Sequence, residues 1–322
     1  MPDPWLYLQA TAASAIVSAA CVLAMARLQR SGQAAWFSTV CVPGIGAGLV
    51  TGIHLLSLSP AWPPANALDR FFALVIPAAL VVELISGISR VAGQIAWWLR
   101  IGLAISIPRI LLHGSVYLTG MDSDWPLWRT SVAMAISAAL LVGIQVLLVR
   151  LSERSPGVSI PLALCLTIQS AGMTVMLAGY IKGGAAALPV VATLAATTVV
   201  LWLVRNRSDG SAVCGTAVSV LSVIVGIGVV GLFGVVFIGH FFGRLSMGSA
   251  LTLLLAPLLC WVPQLPQIRP RSPLVIGLLR LVLVAIPLIV VLTLAKQTFD
   301  REMGPLLTQQ FPVTAVPRRL HQ

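Results

Sequence analysis

The chain has 322 residues, 58% of them hydrophobic and 9% charged, with a mean hydropathy of +0.98, whereas a soluble domain carries about 25% charged residues. This composition excludes a water-soluble globular fold and leaves no stretch long enough for a soluble domain. The formal charge of +11 would suggest nucleic acid in a soluble protein, but in so apolar a chain it follows from the rule that keeps Lys and Arg in cytoplasmic loops, and no nucleic-acid partner is expected.

A hydrocarbon core of about 30 Å needs roughly 20 apolar residues per helix. Ten runs of about that length follow one another: Trp5 to Ala26, Trp36 to Leu58, Phe71 to Ser89, Ile101 to Thr119, Ser131 to Val149, Val158 to Ile181, Ala185 to Val204, Ala212 to Phe242, Met247 to Val262 and Leu274 to Ala295. The alternating pattern of a barrel strand is missing, so the runs read as helices and the fold as all-α, a polytopic integral membrane protein of about ten spans.

In the first run, Ala24-Met25-Ala26 has the small residues of a signal-peptidase site. Because no basic residue precedes it and Arg27 and Arg30 follow it, the span is expected to be retained. In the second, Gly44, Gly48 and Gly52 recur every fourth residue and make a smooth ridge that another membrane helix can approach closely. A nucleotide-binding reading of these glycines fails for want of a strand and helix around them. The third run holds Glu83, the only acidic residue deep in any span.

The fourth run places Gly102, Ser106, Arg109, His113, Tyr117 and Gly120 on one helical face, which is expected to meet protein. At 1.5 Å per residue, Arg109 lies about 13 Å in from Arg100 taken as the membrane edge, Glu83 about 10 Å in from Arg90, and Arg280 about 13 Å in from Arg271. One charged layer is therefore expected, with Glu83 paired to Arg109 and Arg280 close by. Snorkelling to the headgroups is the alternative, for Arg280 in particular and, less so, for Arg109.

The eighth run, Ala212 to Phe242, is too long for one straight span and too short for two, and its Gly226, Gly228, Gly231, Gly234 and Gly239 permit a tilt or a break. Prolines stand inside many runs, at Pro43, Pro77, Pro108, Pro161, Pro189, Pro257 and Pro287. Each removes a backbone donor and tends to kink its helix.

The connections after the odd-numbered runs hold two arginines each, Arg90 and Arg100 among them, and those after the even-numbered runs hold one basic residue each, Arg70, Arg129, Lys182 and Arg244. This alternation predicts both chain ends outside a bacterial-type cytoplasmic membrane. The basic tail with Lys296, Arg301, Arg318 and Arg319 departs from it, so the tail is tolerated outside or the eighth run crosses twice. One integral domain, 1 to 296, and a short polar tail, 297 to 322, are expected. Ten spans also permit an inverted five-plus-five repeat, although the halves do not align.

Catalytic chemistry finds little support. HExxH, GxSxG, a paired intramembrane Asp and a nucleotide P-loop are all missing, so no enzyme activity is expected. His54, His113 and His240 lack a ligand set for haem or metal, and the five cysteines show no CxxC spacing, so no cofactor is expected. The leading expectation is a permease for a small anionic or zwitterionic solute, bound by Glu83, Arg109, His113 and Arg280. The alternative is a noncatalytic scaffold that docks other membrane proteins on the Gly44, Gly48 and Gly52 ridge.

Overall fold

The computed structural model describes residues 4–28, 37–88, 92–119, 126–155, 157–207, 212–264 and 273–310. Among them there is no strand. The helices are α1 (Pro4–Leu28), α2 (Phe37–Leu55), α3 (Ala67–Arg70), a π-helical turn (Phe71–Val75), α4 (Ile76–Ile88), α5 (Ala92–Leu112), α6 (Val116–Thr119), α7 (Leu127–Arg154), α8 (Ser159–Leu177), α9 (Ile181–Ala185), α10 (Ala187–Arg207), α11 (Ala212–Phe241), α12 (Met247–Leu255), a 3-10 segment (Ala256–Gln264) and α13 (Pro273–Gln310). Eight helical stretches among the described residues are long and apolar enough to cross a membrane, and Cys41–Leu55 is a shorter apolar helix.

The hub is α11. Its apolar window is 94% buried, against 22% for those of α1 and α13, so the bundle is built around α11 while most of the α1 and α13 windows is left unburied. The eighth run is thus one continuous helix with no second crossing. Its glycines serve close packing: a Cβ at Gly231 would meet Val190 Cγ1 at 2.9 Å, one at Gly228 would strike Leu164, and one at Gly234 would strike the Phe71 ring. Without side chains at these points, α11 accepts neighbours from α8, α10 and the π-turn at short range.

The Gly44, Gly48 and Gly52 ridge is filled from within the chain. A Cβ on Gly44 would lie 2.8 Å from Val22 Cγ2, and one on Gly48 would lie 2.6 Å from Thr193 Cγ2 and 2.7 Å from the Ser14 carbonyl. The ridge therefore seats α1 and α10 of this same chain. Ser18 Oγ and Thr197 Oγ1 add a buried hydrogen bond of 3.0 Å at the same seam. Small hydroxyl residues lock helices together here because hydrocarbon offers them no other partner.

Prolines act by position. Pro161 and Pro189 lie in the first turns of α8 and α10, where no intrahelical donor is missed. Pro77 follows the π-turn, and Pro257 stands where α12 gives way to the 3-10 segment. By contrast, α2 and α5 run on through Pro43 and Pro108. Two residues beyond α8, Gly179 has a φ of 88° that lets the Tyr180 amide reach the Val175 carbonyl at 3.2 Å, the left-handed stop that glycine supplies.

α13 continues past Ala295 to Gln310, so the segment expected as a polar tail begins as helix. Arg244, just beyond α11, lies 3.6 Å from Glu302, which brings the far end of α13 beside the connection between α11 and α12.

Candidate functional site

α4 and α5 form an antiparallel pair joined across residues 89–91. The fourth helix starts at Ala92, well before the expected Ile101. Arg100 is therefore more than two turns inside a helix, and it is not a boundary marker. In an antiparallel pair, residues at similar distance from the connection face each other, and Arg100 is the cation that meets Glu83. Its Nε donates to Glu83 Oε1 at 2.8 Å and its Nη2 to Oε2 at 2.5 Å. Ser86 Oγ donates to Oε2 at 3.2 Å, and the guanidinium carbon stands 5.3 Å from the Trp97 ring centroid. Glu83 and Arg100 are 2% and 6% exposed. Such a two-pronged pair in a dry site is geometrically specific.

The carboxylate also lies against α11 at Gly226, where an added Cβ would collide with it. One missing side chain on the hub makes room for the ion pair.

The expected partnership of Glu83 with Arg109 is corrected by the same shift of register. Arg109 is one turn, about 5 Å, from the far end of α5 at Leu112, and it is exposed. His113 follows in the turn and is exposed as well, its carbonyl accepting from Arg70 Nη1. Arg70 Nη2 also donates to the Ala65 carbonyl at 3.0 Å. Nearby at the same end, burial and the neighbouring Asp69 raise the pKa of the Tyr180 phenol.

Arg280 belongs to another part of the molecule. α13 packs on α8, α12 and the 3-10 segment, whereas α4 packs on α2, α5 and α11, so the single charged layer divides in two. Arg280 is 2% exposed. It turns into the protein instead of toward headgroups: Nη1 donates to Ser159 Oγ at 3.0 Å and Nη2 to Ser155 Oγ at 2.9 Å, both at the connection between α7 and α8. Its Nε is buried without a partner, and among the described residues no carboxylate forms an ion pair with it.

Among the described residues no group of three His, Cys, Asp or Glu is placed to hold a metal ion. His54 Nδ1 stands 3.4 Å from Ser59 Oγ, and His240 Nδ1 lies 2.9 Å from the Leu245 carbonyl, at helix ends. Cys21, Cys41, Cys165 and Cys260 are free.

Of the four residues expected at one site, Arg109 and His113 stay within about a turn of each other at the far end of α5, while Glu83 is held by Arg100 and Arg280 by Ser155 and Ser159. Sequence reasoning missed Arg100, Gly226, Ser155 and Ser159. A signal for Arg100 was present, because Ile95 to Leu99 is already apolar and Glu83 required a partner near the same end of the hairpin. Comparison with family models, with curated proteins and with solved structures finds no match to this chain.

Proposed function

We propose that the protein is a permease of a bacterial-type cytoplasmic membrane, crossing it ten times with both ends outside, and that it moves a small solute bearing a negative group. The observation that carries this reading is Arg280, a guanidinium 2% exposed whose described partners are two serine hydroxyl oxygens. Arginine stays protonated in proteins. A buried charge without a counter-charge is costly, and intramembrane cations tend to mark solute or ion paths.

The free Nε–H and the hydroxyl protons of Ser155 and Ser159 are donors that an anion can accept from. The start of α8, which no side chain caps, adds the positive end of the helix dipole. Glu83 and Arg100 neutralise each other and lock α4 and α5 against α11, so they leave the solute to Arg280. No catalytic step belongs to this reading. The permease is preferred to a scaffold role because the glycine ridge seats α1 and α10 of the same chain.

The test is uptake by proteoliposomes under an inside-positive diffusion potential, with labelled acetate, phosphate, nitrate and glutamate each offered in turn. At least one should accumulate above empty vesicles, and Arg280→Gln should abolish that accumulation. Uptake of none of the four, or equal uptake by the variant, overturns the proposal.

A further inference from the structure

A second feature, independent of Arg280, lies between α7, α11 and α12. A cavity of about 420 Å³ opens there. α7 and the segment after α12 are held together at one end, where Trp261 Nε1 donates to the Leu147 carbonyl at 3.2 Å and Arg154 stands 5.6 Å from the Trp261 ring centroid. Toward the other end they part, and α11 forms the floor with Phe233 and Phe237. The wedge is thus closed where Trp261 meets Leu147 and has Arg129 and Trp128 at its other end.

Its walls are hydrocarbon and aromatic apart from Ser137 and His240, the latter near the end of α11 with Nδ1 2.9 Å from the Leu245 carbonyl, and its mouth is flanked by Arg129 and Trp128, the guanidinium carbon standing 5.6 Å from the ring centroid. Val132 and Ile136 line the cavity and are 48% and 52% exposed. Side chains so apolar and so open belong to a face turned to lipid, so the cavity opens sideways into the bilayer. From Arg129 to Leu140 the lining follows α7 for about 16 Å, which is half of a hydrocarbon core of about 30 Å and so the depth of one leaflet.

We propose that this wedge is a lipid site that takes one acyl chain of an anionic phospholipid from the adjoining leaflet, with the phosphate held at Arg129. The depth suits an acyl chain anchored at the interface, and an apolar cavity of this kind stays free of water. The charge at the rim selects the headgroup, since basic residues near the membrane surface attract anionic lipid.

The full-length protein, extracted in mild detergent, would be exposed to dioleoylphosphatidylglycerol or dioleoylphosphatidylcholine and examined by native mass spectrometry. One phosphatidylglycerol should stay bound under conditions that strip phosphatidylcholine. Ser137→Phe and Leu251→Trp, which fill the wedge from opposite walls, should each release it. If one of the two fails to fold, the other carries the test. Arg129→Gln should keep a bound lipid but reduce the preference for phosphatidylglycerol about fivefold, the factor equivalent to ~1 kcal/mol for one basic residue at an anionic surface. Equal retention of the two lipids by the wild type, or undiminished phosphatidylglycerol in a folded wedge-filling variant, overturns the proposal. Displacement of phosphatidylglycerol by an equal concentration of oleate overturns the phospholipid as the source of the chain.

Discussion

Arg100 and Arg280 are withdrawn from the surface to a similar extent, at 6% and 2% exposure, yet their surroundings differ in kind. Arg100 meets a carboxylate on both prongs, with Ser86 attending the same acid and Trp97 beside the guanidinium. Arg280 meets two hydroxyls and keeps a donor in reserve. Burial alone therefore does not mark a functional cation. A paired charge is internally satisfied and contributes geometry, while a charge given only neutral oxygens retains the capacity to attract a counter-ion from outside.

Removing half of the satisfied pair is expected to have the largest effect. Arg100→Leu leaves Glu83 buried against Gly226 without a partner, and breaking a buried pair in this way costs about 3–5 kcal/mol. Denaturation in detergent should register that loss. Adding Glu83→Gln to Arg100→Leu should return part of it, because effects at residues in contact do not add. Strict additivity would mean that the two side chains do not sense each other, and the contrast with Arg280 would collapse.

Arg280→Gln should behave in the opposite way. Without ligand its stability should match or slightly exceed that of the wild type, since the substitution removes an uncompensated charge. The difference should emerge when an anion is added at about a hundred times its dissociation constant: the wild type should gain about 2.7 kcal/mol and the variant nothing. Arg280→Lys should recover little of this, because a point charge cannot reproduce the spread of a guanidinium fork. A variant that unfolds without ligand as readily as Arg100→Leu would place Arg280 with the structural cations.

Gly226→Ala probes the pair from the side of the hub. The added methyl group meets the Glu83 carboxylate, and crowding a packed interior of this sort costs about 1–3 kcal/mol. Gly143, with nothing within 4 Å of an added Cβ, is the matched control and should tolerate alanine. If the two substitutions cost the same, helix propensity would explain both, and Gly226 would have no special tie to the ion pair.

What the sequence disclosed depended on the range of each signal. Every one of the ten apolar runs contains helix, because partition into hydrocarbon is additive along a window and tolerates errors at the edges. The glycine spacing in α2 correctly implied close helix packing, but periodicity carries no information about which helix fills the groove, and the occupants proved to be α1 and α10. The site was less legible. Reading Arg100 as the edge of the membrane moved the start of α5 by about nine residues relative to Ala92, roughly 13 Å along the axis, and the pairing of Glu83 moved with it. Arg280 was recognised as deep. Its partners, Ser155 and Ser159, are ordinary residues of a connection and become meaningful only when α13 packs against α8.

The smallest effect is expected at Arg109. It is exposed and stands one turn from the end of α5, so its long side chain can extend along the helix toward the interface while the aliphatic stem stays in hydrocarbon. Arg109→Leu should therefore change stability by no more than about 0.5 kcal/mol, the usual range for a surface position without special contacts, and should leave anion-dependent stabilisation intact. Arg109→Lys should be milder still, since lysine reaches the interface in the same manner. A loss at Arg109 comparable with that at Arg100 would mean that this exposed face of α5 is covered in the native assembly. If anion-dependent stabilisation disappeared with it, the solute's charge would have to be met on α5, and the separation of a satisfied cation from an available one would need to be drawn between Arg100 and Arg109.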